Sequence, residues 1–323
     1  MKKLLEVCIP TYKRPLGAVN AALSVINQIN KYNLDDKVFV RISEDFGGVG
    51  DYIEIVKLLD GYKNILISSN DKNLGMSRNI YNMIEACNAD YCMILTDDDY
   101  ISDDVLLFIC NTLIQASPSI VYGPRYSYCE DGRLYTIATN TYKNTKFINN
   151  NEFNVGKHAS CFFILSGLIL KRSSVAFKEW KRDIDNSFFP IIFGALTFKL
   201  GQCLFLKNSL VHHTVMNKCH WESWGATSSE QQLRLANDYF DALDIIKNSY
   251  LKSIQRYCYT IGTIESRALH FLVTVNSSIR DLNIDKVRFI INYIKIFFKK
   301  FENIISISMI PYIILNRLIF SKF

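Results

Sequence analysis

Residues 92–104 read CMILTDDDYISDD: an apolar run breaks off into Asp97, Asp98 and Asp99, and Asp103 and Asp104 follow after a gap of three. Adjacent carboxylates near a protein surface repel by up to about 4 kcal/mol. Three in a row therefore imply a positive charge beside them, the alternative being an exposed acidic turn. The second pair has an ordinary explanation, with Ser102 as a helix N-cap and Asp103 and Asp104 in the first turn, where the helix dipole favours them. The triplet then lies before the cap, at the carboxyl end of an apolar strand over residues 91–95, the edge at which open α/β sheets bind ligands.

Other reactive side chains are fewer. "KRDIDNSFFP" offers the carboxylates Asp183 and Asp185, and "LVHHTVMNKCHWESWG" gathers His212, His213 and His220 with Cys219, Trp221 and Trp224. A zinc finger needs a cysteine pair at close spacing, and Cys219 stands alone. The nine cysteines are scattered with no CxxC; the odd count and the lack of a signal peptide point to a reducing cytoplasm.

The elements that must position these groups alternate. Residues 4–9 read as a strand, and Leu16, Val19, Leu23 and Ile26 recur at helical spacing. "KVFVRIS" and "NILISS" are further strands, "YIEIVKLL" is a helix, and Ile80, Met83, Ile84 and Cys87 mark one face of the next. This βαβα order predicts a mostly parallel sheet with helices on both faces. Beyond residue 118 the pattern changes. Asp131-Gly132 between alternating runs signals a hairpin, "TNTYKNTKFINNNEFN" reads as a loop over the site, "ASCFFILSGLILKR" as a buried strand, and residues from about 229 to 300 as helices.

With 323 residues, 49% hydrophobic and 21% charged, the chain has a globular composition. The net charge of +6 is local. Residues 286–323 hold seven basic groups against Glu302 alone, so the rest is formally neutral, unlike a nucleic-acid reader with basic groups spread over its folded face.

Four stretches end strands or open helices in the first half: "CIPTYKRP", "ISEDFGG", "NLGMSRN" and "LTDDDY". In this order and spacing they resemble the nucleotide-sugar half of family-2 glycosyltransferases with the GT-A fold. The resemblance covers residues 4–125 best. It implies an α/β GT-A catalytic domain over residues 1–228, with a nucleotide-sugar half at 1–125 and an acceptor half at 126–228. A helical region follows at 229–323. It further implies that Pro10, Thr11, Tyr12 and Arg14 line the donor site, Tyr12 lying against the base. Asp45, or Glu44 in a shifted register, accepts a base N–H, which favours a UDP-sugar. Phe46 stands where the family usually has Gly or Asn. Gly75 turns the chain into a helix, and Arg78 contacts the diphosphate.

The same resemblance gives the triplet its cation, Mn²⁺ or Mg²⁺, which take hard oxygen ligands. It places Asp97 on the ribose side, Asp98 and Asp99 nearer the metal, and His213 as an extra metal or diphosphate contact, while the triplet permits two alignments and leaves the division among the three open. The family's Glu-Asp pair carrying the catalytic base is missing, and Asp185, with Asp183 as its neighbour, is the nearest match. Trp221 and Trp224 would wall the sugar or acceptor pocket. The implied activity is metal-dependent, inverting transfer of a sugar to a growing, lipid-linked bacterial surface glycan. A membrane-docked adaptor without turnover is the rival class, and a nucleotidyltransferase the second enzyme alternative, though "IPTYKRPLG" is a poor triphosphate loop.

The tail fits such a location. Arg288, Asn292, Lys295, Lys299 and Glu302 form one polar stripe, with Phe289, Ile290, Ile291, Ile294, Ile296, Phe297, Phe298 and Phe301 around the rest. From about residue 286 the sequence therefore predicts a peripheral helix on the inner face of the cytoplasmic membrane. Packing of that face on the protein itself is the alternative.

Overall fold

A computed structural model of the chain describes residues 2–129, 134–138, 144–182, 184–215, 228–279 and 284–298. It opens with the expected alternation: β1 (Lys3–Thr11), α1 (Pro15–Tyr32), β2 (Val38–Glu44), α2 (Val49–Leu58), β3 (Ile65–Ser69), α3 (Met76–Ala86) and β4 (Ala89–Ile94). The four strands pair in parallel in the order β3-β2-β1-β4, and the helices supply the crossovers that parallel pairing demands. β1 is central, and residues 5–11 are all buried. In α1 the buried face is set by Ala18, Ala22, Val25 and Ile29, whose small members let the helix lie close; Leu16 is 59% exposed instead.

The chain continues through β5 (Asp99–Ile101), α4 (Val105–Ala116), β6 (Ile120–Tyr122), β7 (Arg125–Cys129), β8 (Leu134–Ala138), β9 (Lys146–Ile148) and α5 (Glu152–His158). A 3₁₀ turn (Ala159–Phe163), β10 (Ile169–Lys171), α6 (Phe177–Arg182), α7 (Phe189–Lys199), β11 (Cys203–Phe205) and β12 (Val211–Val215) come next. Three helices end the described chain: α8 (Ser229–Asn248), α9 (Ser253–Ile279) and α10 (Ile284–Phe298). The main sheet runs β3-β2-β1-β4-β10-β6-β11-β9, with β10 antiparallel to both its neighbours. A second sheet runs β5-β12-β7-β8.

Several local expectations are revised. α4 begins at Val105, and its cap residue Asp104 makes no side-chain cap bond, so Ser102 is not the N-cap. The Ser102 hydroxyl donates to the Ser209 carbonyl instead, and Gln28 of α1 accepts from Leu106 N at 2.9 Å, a cap supplied from another element. The Asn-rich stretch is partly built in: β9 pairs with β11, and Asn151 caps α5 through Asn154 N. Of the run at residues 159–172 only β10 is strand. β7 and β8 do form the antiparallel pair that Asp131-Gly132 implied, its turn lying outside the described residues.

By packing, the chain divides into two compact units. The first, Met1–Asn150, Cys161–Asp185 and Leu196–Lys218, holds both sheets. The second, Asn151–Ser160, Asn186–Ala195 and Cys219–Phe323, holds α5 and the last three helices. Its core is aromatic. The His270 ring lies parallel to Tyr239 at 4.2 Å between centroids, and its Nδ1 is 2.9 Å from the Tyr293 hydroxyl. Phe297 packs on Phe240 and Phe271. Thus Tyr293 and Phe297 of α10 are buried within their own unit, while Ile291 and Phe298 are exposed. Among the described residues no helix is long and apolar enough to cross a membrane. Asp183, His220, Trp221, Trp224 and the chain from residue 299 on lie outside the described residues.

Candidate active site

The carboxyl ends of β1 and β2 are level, because Thr11 pairs with Glu44, and β4 runs beside β1 so that the aspartates emerge next to Thr11. The Thr11 hydroxyl donates to Asp97 Oδ2 at 2.7 Å, and Arg14 Nη1 lies 3.3 Å from Asp97 Oδ1 and 3.8 Å from Asp98 Oδ2. Burial pushes the Asp97 carboxyl above its ordinary pKa, against the lowering effect of Thr11 and Arg14. Gly17 lets α1 approach this turn, since a Cβ there would collide with the Asp97 carbonyl oxygen.

Asp98 and Asp99 share a different set of partners. The Thr96 hydroxyl lies 2.8 Å from Asp98 Oδ1 and 3.0 Å from Asp99 Oδ2. β12 pairs antiparallel with β5, setting His213 opposite Asp99, and the imidazole Nδ1 is 2.7 Å from Asp99 Oδ1 and 3.9 Å from Asp98 Oδ2. Arg125, which opens β7, reaches Asp99 at 3.5 Å. Burial raises the Asp98 pKa, but the Thr96 hydroxyl, His213, Arg125 and Arg14 outweigh it, so Asp98 is held below the ordinary carboxylate value. Part of the counter-charge that the triplet demands therefore comes from the chain itself. Arg125, Thr96 and Gln28 carried no sequence signal beyond their type.

Ligand atoms of Asp98, Asp99 and His213 all lie within 4.8 Å of one another. Two carboxylates and an imidazole form a hard donor set with one borderline member, which fits Mn²⁺ and, less well, Mg²⁺.

Glu44 and Asp45 are both buried and turned to protein donors. Glu44 accepts from Phe46 N, Gly47 N and the Ser69 hydroxyl, which folds the turn after β2. Asp45 accepts from Asn70 Nδ2 at 2.9 Å, Leu74 N at 2.9 Å and Gly75 N at 2.8 Å, tying that turn to the start of α3. A carboxylate has about four lone-pair positions, so one on Oδ2 remains. Asn79, buried on the apolar face of α3, completes this network through Ser43 and Asn70. Phe46 has φ 56°, a left-handed conformation that costs a residue with a Cβ about 1–2 kcal/mol and explains a preference for Gly or Asn there. Phe46 is 47% exposed, and Tyr12, which directly follows β1, is exposed as well. Gly75 has φ 82° and ends this turn at the start of α3.

One turn into α3, Arg78 points at Asp185. Its Nε and Nη2 lie 3.1 and 3.0 Å from Oδ1, and Nη2 lies 2.9 Å from Oδ2. The guanidinium holds the exposed Asp185 carboxyl below its ordinary pKa. The structure thus gathers Thr11, Arg14, Asp97, Asp98, Asp99 and His213 into one cluster, and joins the candidate phosphate contact to the candidate base in a second.

Comparison with known proteins bears on the family and the fold. Residues 6–175 match the sequence profile of Glycosyl transferase family 2, and the chain belongs to that family. Abequosyltransferase RfbV of Salmonella typhimurium is 30% identical over 106 residues, a match spanning 33% of this chain and 31% of that protein. Among solved structures, S. aureus TarS 1-349 in complex with UDP-GlcNAc superposes with a TM-score of 0.63 at 15% identity, covering 90% of this chain and 79% of that one. The same protein without that ligand gives 0.61 at 13% identity, with 91% and 80% covered. These likenesses establish the fold, which is the GT-A α/β architecture expected from the sequence.

Proposed function

We propose that this protein transfers a sugar from a nucleoside diphosphate donor, UDP favoured, to a bacterial surface glycan. The observation that carries the reading is the cluster of Asp98 and Asp99, which follow β4 within the chain's family-2 segment, with His213 brought to them by β12 from beyond that segment. The relatives support it by their own descriptions, one an abequosyltransferase and the other crystallised with UDP-GlcNAc.

In this reading Pro10, Thr11 and Tyr12 border the base and ribose, with Tyr12 offering a ring face, and Asp97, steadied by Thr11 and Arg14, accepts from ribose hydroxyls. Asp45 uses its remaining lone pair for a base N–H, and Glu44 keeps the turn in shape. Asp98, Asp99 and His213 hold a divalent cation, Mn²⁺ in preference to Mg²⁺ because of the imidazole. Such an ion supplies Lewis-acid stabilisation of the departing diphosphate. Arg78 contacts the diphosphate, and in doing so is drawn from Asp185. The freed carboxylate is a stronger base and takes the proton of the attacking acceptor hydroxyl, giving inversion. Residues 1–228 form the catalytic domain in this scheme, and 229–323 the appended region. A lipid-linked acceptor would bring the enzyme to the inner membrane face, with the exposed Ile291, Lys295 and Phe298 of α10 available to lipid.

The test is thermal stabilisation and hydrolysis of UDP-GlcNAc with and without Mn²⁺. A ligand at a hundred times its dissociation constant adds about 2.7 kcal/mol. Asp98→Asn and His213→Ala should abolish the metal-dependent part of binding while the metal-free melting point stays within a few degrees. If no nucleotide sugar stabilises the protein, or both variants bind UDP and Mn²⁺ like wild type, the reading is wrong.

A further inference from the structure

Side chains alternate across a strand, so β12 presents His213 on one face of the small sheet and His212 on the other. Register sets three rings in a row on that second face: Tyr100 of β5 and Tyr126 of β7 both lie directly opposite His212. Ring centroids are 5.6 Å apart for Tyr100 and His212 and 6.2 Å for Tyr126 and His212, both tilted by about 40°. Beside this ladder lies a cavity of about 470 Å³, lined in part by Tyr126, His212, Phe108, Asp103, Asn208 and Lys207. Phe108 and Tyr100 are 48% and 39% exposed.

The chemistry of that lining selects a ligand. Asp104, also on the rim, is paired with Lys31, which leaves one acid and one base in Asp103 and Lys207. Such a balanced surface has no field to attract a nucleotide or a phosphodiester chain. Three aromatic faces beside an amide, a carboxylate and an ammonium suit a ligand with apolar C–H faces and a dense rim of hydroxyls. We infer that this face of the small sheet is a second glycan site, separate from the donor cluster, which grips an inner segment of the polysaccharide whose end receives the new sugar. The proposal rests on the glycosyltransferase reading above. β12 links the two: a chain held against His212 is roughly one sheet spacing, about 10 Å, from the His213 and Asp99 pair, and β5 is the edge strand around which it would pass.

The experiment uses the full chain on a printed array of bacterial surface oligosaccharides of increasing length, with UDP affinity measured in parallel by calorimetry. Phe108→Ala removes an exposed ring, and Tyr126→Leu replaces a half-buried ring by a smaller apolar side chain that still fills part of its space. The expected result is retention of oligosaccharides longer than about three sugars, weakened at least about tenfold by either change, with UDP affinity within about twofold of wild type. Absence of any bound glycan, or undiminished binding by both variants, overturns the inference. Loss of UDP binding in the wild type would strike the glycosyltransferase reading instead, so the two failures are distinguishable.

Discussion

Gly17→Ala offers a test of how the donor site is positioned. The added Cβ would collide with the Asp97 carbonyl oxygen while standing 3.4 Å from its carbonyl carbon and 3.8 Å from Arg14 Cβ. The first contact is backbone, so neither partner can rotate away, and α1 and the aspartate turn must separate. Overpacking of this kind costs about 1–3 kcal/mol. Alanine in place of glycine in a helix returns about 1 kcal/mol. The net loss of stability should be about 0–2 kcal/mol, a modest shift in melting. Activity should fall much further, because a misplacement of about 1 Å in a reacting constellation costs about a hundredfold. Gly50→Ala is the control. A Cβ at that helical position meets nothing within 4 Å, so the change should stabilise by up to about 1 kcal/mol and leave turnover alone. The assay is release of UDP from UDP-GlcNAc alongside a thermal melt of both variants. A Gly17→Ala protein that turns over like wild type and melts no lower would refute the idea that α1 sets the Asp97 turn for the reaction.

The Arg78 and Asp185 pair makes a pH prediction. Arg78 holds the Asp185 carboxyl below its ordinary value, so a base at Asp185 stays ionised further into acid, and Arg78→Gln should move the acid limb of kcat/KM to higher pH. An unmoved limb would remove Asp185 as the base. In the helical unit, burial pushes His270 down to about 4 from the ordinary 6.5. Between those values the unfolded chain takes up a proton that the folded one refuses, so stability present above about pH 6.5 is lost as pH falls towards 4, by up to about 3 kcal/mol. Melting at neutral and acid pH should show it, and His270→Gln should flatten the dependence. An equal acid loss in that variant would assign it to other groups.

Much of the first half was legible in the chain itself. Short apolar runs at residues 4–9 and 91–95, separated by amphipathic helices, have one stable solution in a parallel sheet, and strand-end geometry then places "PTY", "SED" and "TDDD" on one edge. The demand of the aspartate triplet for positive charge was likewise a local fact, because Coulomb repulsion between neighbours needs no tertiary knowledge. What supplies that charge was not local. Arg14 and Arg125 come to the triplet from other elements, Arg125 only because β12 lies between β5 and β7, and the same strand order closes the His213 hydrogen bond to Asp99 across 114 positions of chain. Arg78 meets Asp185 across 107 positions, and Gln28 replaces Ser102 at the start of α4 across 78. A side chain's type states which bonds it can make, but its partner is chosen by strand order and register, which depend on the packing of the whole sheet. The sequence by itself therefore determined the family, the alternation of elements and the acidic edge, while the tertiary structure alone decided which cations and carboxylates face one another there.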